Sequence, residues 1–191
     1  MTAEFRDGGP LGHGPGRTPF WDLLPPAARQ ALREAGSVKS FAAREHLVRQ
    51  DEFGDHLLVV GSGCIKVTTV SATGYQAVLA LRGPGDLLGE QGGLDGGPRS
   101  ATLTALTPVR ALVISGEAFR AAARDHPIVT GAVHQVLSAR LRDADRQRTS
   151  AGAHPVAPRL APPLLHLAPG HARRHAPRAP RTAPPPSHDA P

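Results

Sequence analysis

The sequence predicts a mainly β protein with flanking helices: a small antiparallel jelly roll, a double-stranded β-helix, followed by one long helix. Three observations carry this prediction. Between Val38 and Ile114, short runs of strand-forming residues alternate with turns rich in Gly, Pro and Asp. From Ile128 to about Arg148 the composition becomes strongly helical, with Val129, Val133, Val136, Leu137, Leu141 and Ala144 on one stripe. Hydrophobic residues make up 40% of the 191 but aromatic ones only 4%, so the core must be aliphatic. That length suits one ordinary domain with tails.

The elements follow in order. Met1 to Pro19 is rich in Gly, Pro and His and has little to bury, so residues 1–19 are expected to form a disordered arm. Phe20-Trp21-Asp22-Leu23-Leu24 opens the domain. Ala27 to Ala35 is expected to be helical, with Leu32 inward and Gly36 as its stop. Expected strands are Val38–Phe41, His46–Arg49, Leu57–Val60, Ile65–Val70, Gln76–Leu81, Thr102–Leu106 and Val109–Ile114, with Val67, Val78 and Leu103 pointing inward. Ser115 caps a helix running through Ala123. Pro127 suits the first position of the long helix. That helix has a surplus apolar face, free to pack on its own barrel or to pair with a second copy. The organisation read from this is a β-roll domain over 20–126, a dimer helix over 127–150 and a Pro/Arg-rich tail over 151–191.

The chemistry concentrates in Asp86 to Leu103, D-L-L-G-E-Q-G-G-L-D-G-G-P-R-S-A-T-L. Glycines let a backbone approach an anion closely. Arg99 is a fixed cation whose planar fork suits phosphate. Glu90 is an acceptor able to take a sugar hydroxyl. An anion site and a hydroxyl site across one tight loop suit a sugar phosphate. The competing reading is an exposed Gly/Pro turn that carries Arg99 on its surface.

This stretch, with the flanking Gly83-Pro84-Gly85-Asp86, resembles the phosphate-binding cassette of cyclic nucleotide-binding domains in the Crp/Fnr family of bacterial regulators. The resemblance implies a cyclic nucleotide effector of the cyclic AMP type and no other cofactor. Gly89 and Ala101 would offer backbone N–H groups, Glu90 would take the ribose 2′-hydroxyl, Arg99 would pair with the phosphate, and Ser100 would add a hydroxyl. It makes the long helix a homodimerisation helix, through Val129, Val133, Val136, Leu137 and Leu141, and puts Ala144 and Asp145 near the base. The family's hydroxyl residues are absent at those two positions. Gly92-Gly93 also departs from the family's apolar helix start, which predicts a weak helix after Gly89-Glu90.

The tail departs further. His154 to Ala168 resembles the first helix of the Crp-type DNA-binding module, but Pro155, Pro158, Pro162 and Pro163 interrupt it. An interior proline costs a helix about 3 kcal/mol. Contact with DNA is the family's role, yet no helix-turn-helix is recognisable after Pro169. The expectation is that the DNA-binding half has been lost or replaced, and that the tail is disordered. Five arginines against Asp189 from Thr149 onward place most of the net charge of +6 there, and prolines dilute it into a thin footprint for nucleic acid.

Other classes find little support. A single cysteine, Cys64, excludes an internal disulfide and a Cys-ligated iron–sulfur cluster, and its apolar setting predicts a small buried hydrophobe. No apolar run reaches membrane-spanning length and no signal-type core opens the chain, so a soluble cytoplasmic protein is expected. No nucleophile elbow, Gly-Lys-Ser/Thr phosphate loop or catalytic carboxylate pair is present, and no enzyme activity is expected. A cupin-like enzyme would share the jelly roll, but His46, His56 and Glu45 lack metal-ligand spacing. His171 and His175 are four apart, but Pro177 and Pro180 argue against the helix that would join them on a metal. A second reading from another class is a ligand-free module that dimerises with a full-length relative and titrates it.

Overall fold

A computed structural model describes residues 17–153. The chain enters through a 3-10 turn, Phe20–Leu23, and helix α1, Pro26–Ala35. The strands are β1 (Gly36–Phe41), β2 (His46–Val48), β3 (His56–Ser62), β4 (Ile65–Val70), β5 (Gln76–Arg82), β6 (Leu87–Leu88), β7 (Thr102–Ala105) and β8 (Val109–Ser115). A short helix α2, Glu90–Asp95, lies between β6 and β7. Helices α3 (Gly116–Asp125) and α4 (Ile128–Ala153) follow.

Two four-stranded sheets form a jelly roll, one ordered β1-β8-β3-β6 and the other β2-β7-β4-β5. Every strand pairing is antiparallel. Side chains alternate faces along a strand, and β3 shows what that alternation serves. Leu58 and Val60 join Ile65, Leu88, Leu103 and Val109 in the core between the sheets. Leu57 and Val59 point the other way, into a core under the helices with Phe20, Trp21, Leu32, Leu112 and Phe119. Both faces of this sheet are covered, so the middle of β3 reads as an unbroken apolar run.

Most expected elements are present with small shifts at their ends. Helix α1 begins at Pro26, one residue early, because a proline at the first position gives up an N–H that has no intrahelical partner. Ser115 caps α3 by accepting from the Ala118 N–H. Strand β6 was not expected, since two residues carry no periodicity. Leu87 serves the helix-side core and Leu88 the inter-sheet core, and both pair with β3. Leu103 is buried and Val67 packs against the same core, as expected. Val78 is 43% exposed, contrary to expectation. It lies on β5, at the edge of its sheet, and the β4–β5 register shifts at Val67/Thr68. A one-residue slip exchanges the faces of a strand.

The start of the chain also differs from expectation. Arg17 pairs with the buried Asp86, and Pro19 packs against Gly85, so the N-terminal segment is placed from residue 17 rather than from residue 20. The rest of the predicted arm, and the tail from residue 154 with its proline-interrupted segment and His171/His175, lie outside the described residues.

Helix α4 packs on the turn at Phe20–Leu23 and on α3. Val129, Val133 and Val136 are buried in this chain's own helix-side core. Their expected place in a dimer interface is thereby corrected: the 3-10 turn and α3 already cover that part of the stripe. Leu137 packs partly against the same core, and Leu141 is 61% exposed. No described helix is long and apolar enough to cross a membrane.

Candidate functional site

The cassette starts from a turn with little freedom. Asp86, 1% exposed, accepts the Gly83 N–H at 3.0 Å and a bond from Arg17 at 2.5 Å. This fixes Gly83-Pro84-Gly85 and delivers β6 into its sheet. Gly89 then adopts φ 72°, where a side chain is strained. A Cβ there would also sit 2.7 Å from Arg99 Nη1.

Helix α2 carries Gly92 and Gly93 in its interior. Both glycines are buried. A Cβ on Gly93 would meet Leu57 at 2.8 Å, so here glycine allows close packing on β3, which offsets its low helix propensity.

Arg99 is 3% exposed. Its Nη1 donates to the Gly89 carbonyl at 2.8 Å and its Nη2 to the His56 carbonyl at 2.7 Å. The reading of Arg99 as an exposed turn residue is excluded. A guanidinium has five N–H donors, and among the described residues these two bonds brace the fork while leaving donors uncommitted. Burial lowers the Arg99 pKa, opposed by Asp55 and Glu90. The His56 imidazole pKa is lowered by burial and then by Arg99. Ser100 donates to Gln91 at 2.6 Å, linking the two ends of the cassette, and Ala101 is half-buried just before β7.

Glu90, 7% exposed, is the first residue of α2. Its Oε1 accepts from Arg140 Nη1, and Arg140 Nη2 donates to the Leu87 carbonyl. The structure thus brings Glu90 and Arg99 into one cassette and adds a helix residue that the sequence reading left outside the stripe. The signal for Arg140 was present. It lies four residues beyond Val136 and continues the buried stripe of Val129, Val133 and Val136 as a charge among apolar neighbours.

Ala144 and Asp145, expected near the base, lie on α4 beyond Arg140. Ala144 is half-buried, while Asp145 is exposed and pairs with Arg148 at 3.1 Å. One helical turn separates Arg140 from Ala144, and it is Arg140 that reaches the cassette. Arg82, at the end of β5, completes a basic surround. Burial brings its pKa down to about 10, helped by Arg140 and Arg17 and opposed by Asp86 and Glu90. Cys64 is a buried free thiol whose pKa burial raises. Among the described residues, no group of three or more His, Cys, Asp or Glu side chains could hold a metal ion.

Comparison with known proteins agrees with this geometry. Residues 38–126 match the family model "Cyclic nucleotide-binding domain". The chain is 31% identical over 152 residues to a CRP-like cAMP-activated global transcriptional regulator of Mycobacterium tuberculosis, covering 80% of this chain and 68% of that protein. Among solved structures it resembles the Thermus thermophilus catabolite activator protein, with TM-score 0.64 and 28% identity, covering 71% of this chain and 63% of that one. It also resembles the N-terminal domain of a transcriptional regulator from Streptomyces coelicolor A3(2), with TM-score 0.53 and 32% identity, covering 68% of this chain and 91% of that one. The chain thus spans about two thirds of the lengths of the mycobacterial and Thermus proteins.

Proposed function

This chain belongs to the CRP-like family of cyclic nucleotide-binding proteins, and we propose that it senses a cyclic mononucleotide of the cyclic AMP type and signals through α4. The observation that carries the reading is Arg99. It is 3% exposed, and its fork is held by two backbone carbonyls, while among the described residues no carboxylate makes an ion pair with it. A buried cation without an ion pair costs stability unless something anionic uses it. Glu90 in the same cassette supplies the acceptor for a ribose hydroxyl, and Ser100 a further donor. The cyclic phosphate faces Arg99 and the ribose faces Glu90.

The mycobacterial relative is named as a transcriptional regulator, and we assign this chain to the same regulatory role, as a homodimer paired through the exposed end of α4 around Leu141. A second reading rests on the same exposed leucine: a module that dimerises without ligand and titrates a full-length relative.

Thermal unfolding with cyclic AMP and cyclic GMP, beside Arg99→Ala, tests the proposal. Ligand at 100 times its dissociation constant adds about 2.7 kcal/mol. A melting shift in the wild type that is absent in Arg99→Ala is the expected result. No shift with either nucleotide in a folded protein would favour the titrating module.

A further inference from the structure

We propose that a groove at the open end of the first sheet is a second binding site, separate from the cassette, for a small anion carrying a phosphate or carboxylate group. The site is independent of the cyclic nucleotide reading. Strand register places it. His56 on β3 stands opposite Ser115 on β8, and Ser37 on β1 stands opposite Val113. Directly paired residues share a face of a sheet, as do residues two apart along a strand. Ser37, Lys39, His56 and Ser115 therefore share one face, which is the face that Leu58 and Val113 give to the inter-sheet core. Together they line a groove of about 440 Å³, within the range of small-molecule sites. Among the described residues, none from Gly89 to Ala101 lines it.

What converges in the groove is donors without acceptors. Among the described residues, the Lys39 ammonium makes no ion pair or hydrogen bond, and neither the His56 ring nor the Ser37 hydroxyl is hydrogen-bonded. Ser115 Oγ accepts the Ala118 N–H, which leaves its own O–H free to donate. The surroundings are cationic on balance. Burial lowers the His56 pKa most, then Arg99 and, least, Lys39, while Asp55 opposes them. No carboxylate or thiol lines the groove, so a metal ion finds no anionic ligand there. An oxyanion meets all of these groups at once, accepting from the ammonium and the two hydroxyls. Lysine is a compact point charge suited to such a partner. Gly36 and Val113 give an organic body an uncharged wall. His56 belongs to both places, since its carbonyl accepts from Arg99 at 2.7 Å and the same residue lines the groove.

The test titrates the isotope-labelled full chain with inorganic phosphate and, separately, with succinate, followed residue by residue by NMR. Sodium chloride at matched ionic strength is the control for screening. Saturable shifts are expected at the amides of Ser37, Lys39, His56 and Ser115 with at least one of the two anions, and the tighter of them tells phosphate from carboxylate. Lys39→Met keeps an apolar stem but no charge. It should weaken binding at the groove about tenfold, as for a hydrogen bond to a charged group. Any phosphate shifts at Gly89 and Arg99 should be the same in this variant as in the wild type. Lys39 is exposed on an edge strand, so its replacement removes nothing from either core. If Lys39→Met fails to fold, Ser37→Ala carries the test, with a weakening of about threefold expected. No saturable shift at the groove with either anion, shifts that chloride reproduces, or wild-type binding in a folded variant overturns the inference. Each of these outcomes leaves the reading of the cassette intact.

Discussion

His56 connects the cassette to the sheet at a single residue, through its carbonyl on Arg99 and its imidazole at the edge of β3. Its pKa is lowered chiefly by burial, then by Arg99 and, least, by Lys39, against a raising influence from Asp55. The unfolded chain therefore binds a proton more readily than the folded one between the lowered value and 6.5. Its contribution to stability is full above the unfolded value and is lost as the pH falls through the folded one. Equilibrium denaturation of wild type and His56→Gln at a series of pH values checks this. Below about pH 6.5 the wild type should lose stability more steeply than the variant. Parallel curves would mean that His56 does not contribute. Gly89 illustrates a different constraint at the same scale. Its positive φ and the 2.7 Å from a built Cβ to Arg99 leave no room for a side chain, a requirement that the Gly-Glu pair made visible in the sequence.

At the scale of elements, α4 does two things along its length. Its first half, with Val129, Ala132, Val133 and Val136, is buried in this chain's own core. Further along, Arg140 reaches the cassette and Leu141 faces outward at 61% exposure. Leu141→Glu is therefore expected to weaken dimerisation at least tenfold or so, the order of a fully buried leucine, while the melting behaviour of the separated chain stays unchanged. Sedimentation at several concentrations measures the first and calorimetry the second. An unchanged dimer would move the interface elsewhere.

The same helix shows what the sequence could and could not reveal. Its existence, its start just after Pro127 and its apolar stripe were legible, because helical periodicity is local. Which body the stripe packs against was not, because a second copy and the chain's own 3-10 turn present equally apolar surfaces. Arg140 carried a signal in its spacing from Val136, but one outweighed by the rule that a basic residue near the edge of a stripe is usually a solvated one. The cassette residues Gly89, Glu90, Arg99 and Ser100 were legible because their spacing is short and their types are chemically constrained. Strand β6 has two residues and exists only through its pairing with β3, a contact nearly thirty residues away in sequence. The inward assignment of Val78 failed at a register shift, which leaves no mark on composition.

Across the whole molecule, the sheet β1-β8-β3-β6 is shared by two cores, one facing the second sheet and one facing the helices. Removing the helix layer would expose Leu57, Val59, Leu112 and Ile114 together. The cassette lies at this junction: Leu87 and Leu88 contribute one side chain to each core, immediately before Gly89. A change in how α4 sits would thus act on both the entrance to the cassette, through Leu87, and its carboxylate, through Arg140.

The double coverage of β3 also has a cost for the chain when it is not folded. Leu57-Leu58-Val59-Val60 is a β-branched and leucine segment with no charge, no proline and no glycine within it. Such a segment is safe only while both of its faces are occupied; once released, it has the composition of aggregation-prone strands. Heating should therefore end in clumping rather than in a reversible coil, and the apparent melting temperature should climb as the scan is made faster. Scans at several heating rates check this, and identical midpoints with full recovery on cooling would contradict it. For a protein of this design, a bound nucleotide would extend working life by slowing escape from the native state, as well as carrying a signal.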